Sequence, residues 1–216
     1  MKRRAGFSLV ELLVVMAILS VLGGLAVIGL PRMMRAGDQS LMENVLMQLD
    51  AALESYETDA KNGDYPPTLL DSDEFPGVGQ RTNLDNCGNE SIILCLNRRG
   101  RGSLFDIEGM KGVSLTNTDA DRTQAVLTSF GPDDRELYEL VDVWGTPVAY
   151  FHHRDYGIVE NRDLGRATAA EEMLKAVPWR NPKTRSFYQR DKFQLISAGA
   201  DMKFNTEDDI TNFERQ

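Results

Sequence analysis

The sequence predicts an α+β fold in which a long N-terminal helix, apolar in its first half and amphipathic in its second, packs on a small antiparallel sheet followed by an acidic loop. Three observations predict it. Residues 9–30 carry no charge except Glu11. Met42, Leu46, Leu49, Leu53 and Tyr56 then recur at spacings of four, three, four and three, with Val45 and Ala52 beside them, which is one apolar stripe along a helix. Beyond residue 137, short apolar and aromatic runs alternate with Gly, Pro and Asp, the pattern of strands joined by tight turns.

The first element follows from length and flanking charge. An apolar window of this size meets the requirement of about 20 residues for a helix that crosses a bilayer. Lys2, Arg3 and Arg4 precede it, so the short N-terminal flank stays cytoplasmic and the bulk of the chain lies across the membrane. A cleavable secretory signal would carry its small-residue cleavage site after the apolar core, whereas Gly6 stands before it. A plain anchor leaves Glu11 unexplained, because a carboxylate inside the hydrocarbon costs about 2.5–3.5 kcal/mol on insertion scales. A third reading accounts for both: cleavage between Gly6 and Phe7 exposes a new α-amine, which Glu11 of a neighbouring subunit neutralises.

The run Lys2-Arg3-Arg4-Ala5-Gly6-Phe7-Ser8-Leu9-Val10-Glu11-Leu12-Leu13 resembles the type IV prepilin leader and cleavage site shared by pilins and the pseudopilins of type II secretion. The resemblance implies that a prepilin peptidase cuts after Gly6 and N-methylates Phe7, and that Glu11 acts in assembly.

The composition bounds what the remainder can be. After the membrane segment, the rest of the 216 residues suits one domain. The net charge is -9, and it is more negative once the leader cations are discounted. A nucleic-acid binder would show a basic face, so this balance argues against one. It fits a soluble face outside an anionic membrane, or cation binding.

Gly23, Gly24, Gly29 and Pro31 weaken the helix locally, since Gly costs about 1 kcal/mol and Pro about 3 kcal/mol in a helix interior. A kink or melted turn is expected there. The amphipathic stripe is expected to face the protein's own sheet, with subunit contact as the alternative. Asn62-Gly63 supplies a stop signal near residue 61, and Tyr65-Pro66-Pro67 an extended exit.

Residues 71–131 mix turn formers with one apolar run, Ile92-Ile93-Leu94, and read as a loop-rich excursion with one short strand or helical turn. Cys87 and Cys95 are the only cysteines and lie on the oxidising side of the membrane. They are candidates for a bridge, with two buried thiols as the alternative. Arg98-Arg99-Gly100-Arg101 reads as a solvated loop.

Leu137 to Val141 is followed by Asp142-Val143-Trp144-Gly145-Thr146-Pro147, a tight turn, and by Val148-Ala149-Tyr150-Phe151 as a strand. The turn resembles the Asp-Pro-Trp-Gly of pseudopilins with Val143 in place of Pro. Trp144 is expected to plug the core and Gly145 to take a positive φ. His152 and His153, the only histidines, would point to opposite faces of a strand and so would not chelate one ion together. Residues 166–177 are expected to form a short helix ended by Pro178. Phe187-Tyr188 and Phe193-Gln194-Leu195-Ile196 read as strand.

After the last of these, Asp201, Glu207, Asp208 and Asp209 crowd into nine residues. Such a density of carboxylates repels itself unless solvent or a cation relieves it, and hard oxygen donors favour Ca2+ over transition metals. The spacing is not that of an EF-hand. It resembles the calcium loop of major pseudopilins. That resemblance implies side-chain ligands from Asp201, Asp208 and Asp209 and main-chain carbonyls from Ala198 and Thr206. Met202 and Asn205 stand where that family often has Gly.

The resemblance covers residues 1 to about 67, 138–151 and 193–212. It implies a leader at 1–6, a transmembrane assembly helix at 7–31, and a periplasmic globular domain at 32–216. That domain would hold an amphipathic helix at 32–61 and insertions at about 71–131 and 160–185. The implied function is a non-catalytic subunit of a periplasmic pseudopilus of type II secretion, anchored in the bacterial inner membrane. Expected partners are further copies of the chain, the prepilin peptidase, minor pseudopilins, the inner-membrane secretion platform and membrane lipid. A type IV pilin or minor pilin is the alternative, and an anchored periplasmic enzyme a more remote one, since no nucleophile, base or nucleotide loop assembles from the sequence.

Overall fold

The computed structural model describes residues 9–59, 63–70, 78, 85–97, 112–123, 127, 134–161, 166–167 and 174–215, with no side chains described at 23, 25–33, 159–161, 166, 167 and 174. The chain divides by internal contacts into two compact units, Met1–Asp38 and Gln39–Gln216.

The first unit is helical from Leu9 onward, and its large apolar side chains between residues 9 and 22 are 46–80 % exposed. Among the described residues no helix is long and apolar enough to cross a membrane. Much of the predicted span lies outside that description: residues 7 and 8 altogether, and the side chains at 23 and 25–31. The helix α1 (Leu9–Thr58) is helical throughout, so no melted turn interrupts it around Gly29 and Pro31. One proline removes a single backbone donor, and the bonds on either side carry the ladder past it.

In the second unit the stripe expected on α1 is the core. Met42, Val45, Leu46, Leu49, Ala52, Leu53 and Tyr56 are all buried, in one cluster with Tyr65, Ile92, Leu140, Tyr150, Phe193, Leu195 and Ile210. Burying a Leu side chain contributes about 1.5–3 kcal/mol, so this face outweighs the polar one in fixing the helix on the sheet. The polar flank is tied down as well: Asn212 Nδ2 donates to Asp50 Oδ1 at 2.7 Å, and Lys192 pairs with Glu54 at 2.5 Å. The helix ends at Thr58, three residues before the expected stop.

The main sheet is antiparallel, in the order β3 (Ala149–His152), β6 (Phe193–Ser197), β7 (Ile210–Thr211). A second pair joins β1 (Ser114–Thr116) to β2 (Glu139–Val141), with Thr116 opposite Glu139. A third joins β4 (Arg166–Ala167) to β5 (Leu174–Lys175). That last pair occupies the two ends of the helix expected over 166–177, so those ends are strand; residues 168–173, where the rest of that expectation falls, lie outside the described residues. Phe187 makes only an isolated bridge with Arg180 instead of joining a strand.

Ile92-Ile93-Leu94 lies inside a full helix, α2 (Cys87–Leu96), buried on nearly every side. The turn after β2 is built on Asp142. Its Oδ1 accepts from the N–H groups of Trp144 (3.0 Å) and Thr146 (2.9 Å), its Oδ2 accepts from Ser197 Oγ at 2.7 Å, and Gly145 adopts φ +90 as expected. Trp144 packs half-buried against the main core. The turn thus fastens β2 to the end of β6, immediately before the acidic loop.

Candidate functional site

The loop 198–209 leaves β6 through a 3-10 turn (Gly199–Asp201) and returns as β7. Local hydrogen bonds set its shape. Asp208 Oδ2 accepts from the Asp201 N–H at 2.9 Å, and Asp208 Oδ1 accepts from Thr206 Oγ1 at 2.6 Å. Asp209 Oδ2 accepts from the Asn205 N–H at 2.8 Å. Met202 (φ 56) and Asn205 (φ 66) are both left-handed, which supplies the physical reason that glycine suits these two positions. Gly199 has a steric reason too, since a Cβ there would meet the Asp208 carbonyl oxygen at 2.3 Å.

The aspartates differ in environment. Asp201 and Asp208 are exposed, whereas Asp209 is 2 % exposed and its Oδ1 has no hydrogen-bond partner. Desolvation pushes the Asp209 carboxyl up to about 6, against hydrogen bonds from the Asn205 and Thr206 backbone and the charge of Arg215. Burial also acts to raise Asp208, but its hydrogen bonds to Thr206 and Asp201 prevail and hold it below the usual carboxylate range. A hard cation fits this donor chemistry, and Asp209 Oδ1 is a buried oxygen that no hydrogen-bond donor reaches.

Arg215 carries no signal in the sequence pattern, yet it organises the loop. Its guanidinium lies 4.9 Å from the centre of the Trp179 ring. It donates to the carbonyls of Thr206 (3.0 Å), Glu207 (2.8 Å) and Asp209 (2.7 Å). The Thr206 carbonyl expected as a calcium ligand is therefore already engaged, with one lone pair left.

At the other end of the chain, Gly6 and Phe7 lie outside the described residues. Glu11 sits in the first turn of α1, on its exposed apolar stretch. Cys87 and Cys95 are two buried thiols, so the bridge is not formed. Both belong to α2, where eight residues of rise separate their Cα atoms by about 12 Å, beyond the roughly 7 Å limit of a disulfide. The cluster 98–101 lies outside the described residues.

Among the described residues, two groups of three side chains bring potential ligand atoms within 4.8 Å of one another: Asp64 with His152 and His153, and Glu90 with Asp119 and Asp121. The histidines do not splay apart as expected. The strand stops at His152, His153 opens a 3-10 turn, and the two rings lie 4.4 Å apart. His152 is nonetheless committed to structure. Its Nδ1 accepts from the Arg154 N–H at 3.1 Å, so the neutral ring carries its proton on Nε2, which meets Asp64 Oδ1 at 3.1 Å. No lone pair remains for a metal in that tautomer.

Comparison with known proteins bears on the N-terminus. The family model described as the prokaryotic N-terminal methylation motif matches residues 1–27. The N-terminus is type IV pilin-like. The motif implies processing by a prepilin peptidase and pilus-like assembly. No curated protein and no solved structure is similar enough to match the chain.

Proposed function

We propose that this chain is a structural subunit of a periplasmic pseudopilus of type II secretion, single-pass in the inner membrane with residues 32–216 in the periplasm. The peptidase releases the chain at Gly6, and Phe7 supplies the new, methylated α-amine. Glu11 of an adjoining subunit neutralises that amine where lipid and packed helices keep water out. The exposed apolar face of α1 between residues 9 and 22 is the surface that lipid or neighbouring copies cover.

The observation favouring a pseudopilus over a pilus is the loop 198–209, with Asp209 Oδ1 buried and unpartnered. Calcium bound there would supply a fixed positive charge. Asp201, Asp208 and Asp209 would hold it through carboxylate oxygens, with the carbonyls of Ala198 and Thr206. Arg215 orients the loop by gripping three of its carbonyls, and Gly199 lets the chain pass close over Asp208. The loop then presents one fixed surface to the next subunit. Minor pseudopilins and the inner-membrane platform are the partners this reading requires.

Deletion of the gene tests it. Secreted exoproteins should accumulate in the periplasm while surface pili and twitching persist. Loss of pili with secretion intact would reject the pseudopilus and leave a pilin.

A further inference from the structure

The strongest unassigned feature lies in the middle of the chain, away from the loop 198–209. Glu90 on α2 and Asp121 after β1 are both 0 % exposed, Asp119 is half-buried, and one carboxylate oxygen of each lies within 4.8 Å of the others. Two oxygens bound to one calcium at about 2.4 Å each are at most about 4.8 Å apart, so this convergence has the dimensions of a calcium shell. Asp119 and Asp121 stand at alternate positions of a turn closed by Asn117. Its Nδ2 donates to the Asp121 carbonyl at 2.8 Å, and its Oδ1 accepts from the Asp121 N–H at 3.2 Å.

A separate observation comes from β2. Glu139 is 0 % exposed, and its Oε1 has no hydrogen-bond partner. Its Oε2 accepts from the N–H of Thr118, the neighbour of Asp119, at 2.7 Å, and the charges of Asp119 and Asp121 both act on it. The β1–β2 register, with Thr116 opposite Glu139, brings the carboxylate to this turn. A buried carboxylate oxygen with no donor carries a desolvation penalty that a bound cation removes.

We propose that Glu90, Asp119, Asp121 and Glu139 Oε1 hold a buried calcium ion that joins α2, the 117–121 turn and β2. All donors are hard oxygens, which excludes preference for soft transition metals. Four carboxylates exceed the charge of one divalent ion, which favours tight binding. The ion would fasten the segment between α1 and the main sheet.

The test uses the full-length chain in detergent carrying Asp209→Asn, so that the loop 198–209 is silenced. Calcium is titrated calorimetrically, and Tm is measured with calcium and with chelator. One calcium per chain is expected, with a raised Tm. Glu139→Gln and Asp121→Asn, each nearly isosteric, are expected to weaken binding tenfold or more. The proposal is overturned if the Asp209→Asn protein shows neither calcium heat nor a Tm shift, a result that needs no second variant to fold. It is equally overturned if Glu139→Gln binds calcium as tightly as its parent, or if it raises Tm in chelator while calcium changes nothing, which is the signature of a proton-sharing cluster.

Discussion

Gly88 is a point where the backbone of α2 passes close against that of β3. A Cβ built there would lie 2.2 Å from the Tyr150 carbonyl oxygen and 3.3 Å from Thr68 Cγ2. Beside it, Asn89 spends its whole side chain on the same junction. Its Nδ2 donates to the carbonyls of Leu140 (3.0 Å) and Val148 (2.7 Å), and its Oδ1 accepts from the Leu140 N–H at 2.7 Å. A buried amide is tolerated because each of these bonds replaces one to water. Gly88→Ala sets two effects against each other. The helix gains about 1 kcal/mol of propensity, while overpacking costs typically about 1–3 kcal/mol and more where the obstacle is backbone that cannot rotate away. At 2.2 Å the steric term dominates, so denaturant unfolding should show a net loss of about 2 kcal/mol, and a Tm equal to or above wild type would refute this account of the junction.

At the scale of elements, the end of β3 is held by a pair that responds to pH. Burial holds the His152 imidazole below its ordinary value although Asp64 and Asp155 pull it upward. Burial acts to raise Asp64, but the His152 and Tyr65 hydrogen bonds and the Arg154 charge leave it lowered. A histidine lowered in the folded state takes up its proton first in the unfolded chain, so stability is complete above about pH 6.5 and falls as pH drops from there through the folded value. The lowered Asp64 adds a loss only below about pH 3.8. Asp209, raised to about 6, has the opposite slope and stabilises on acidification. The readout is therefore the difference between wild type and His152→Gln in unfolding free energy, measured from pH 7.5 to 5. The variant should close the gap on wild type as pH falls, and a constant difference would show that His152 is not the titrating group. Other elements were legible in the sequence to the extent that one periodicity governed them. The α1 stripe, the Asp142 to Pro147 turn, β3 and β6 each follow from a repeat or a turn residue inside a dozen positions. What escaped was set by partners far along the chain. Ile92-Ile93-Leu94 is too short to separate helix from strand until Asn89 docks on Leu140 and Val148. Arg166–Ala167 pairs with Leu174–Lys175, a partner that no local repeat announces. Asp119 and Asp121 at alternate positions were visible as acids, but Glu90, which converges on them, and Glu139, which the proposal adds, lie in other elements. Arg215 left no mark at all, since its role is to reach back across the loop.

For the molecule as a whole, the N-terminal stretch is the part whose stability depends on company. Large apolar side chains between residues 9 and 22 remain 46–80 % exposed in the single chain, and a continuous apolar face of that kind marks a surface destined for lipid or protein. Glu11 lies within it. In hydrocarbon an isolated carboxylate costs about 2.5–3.5 kcal/mol, and an isolated ammonium at a processed Phe7 carries a penalty of the same kind. On the proposed reading, pairing across subunits would remove both at once, which would make the acid unfavourable in the lone anchor and favourable in the filament. Glu11→Ala should therefore leave cleavage after Gly6 intact, since the peptidase acts on the unassembled chain, yet lower assembled filaments tenfold or more. Glu11→Gln, which keeps a hydrogen-bond acceptor but not the charge, should fall between the two. The processed fraction is read by intact mass and the filaments by shearing and electron microscopy. Wild-type filament yield from Glu11→Ala would show that the amine finds its counter-charge elsewhere. Loss of cleavage in that variant would place Glu11 in peptidase recognition instead of assembly.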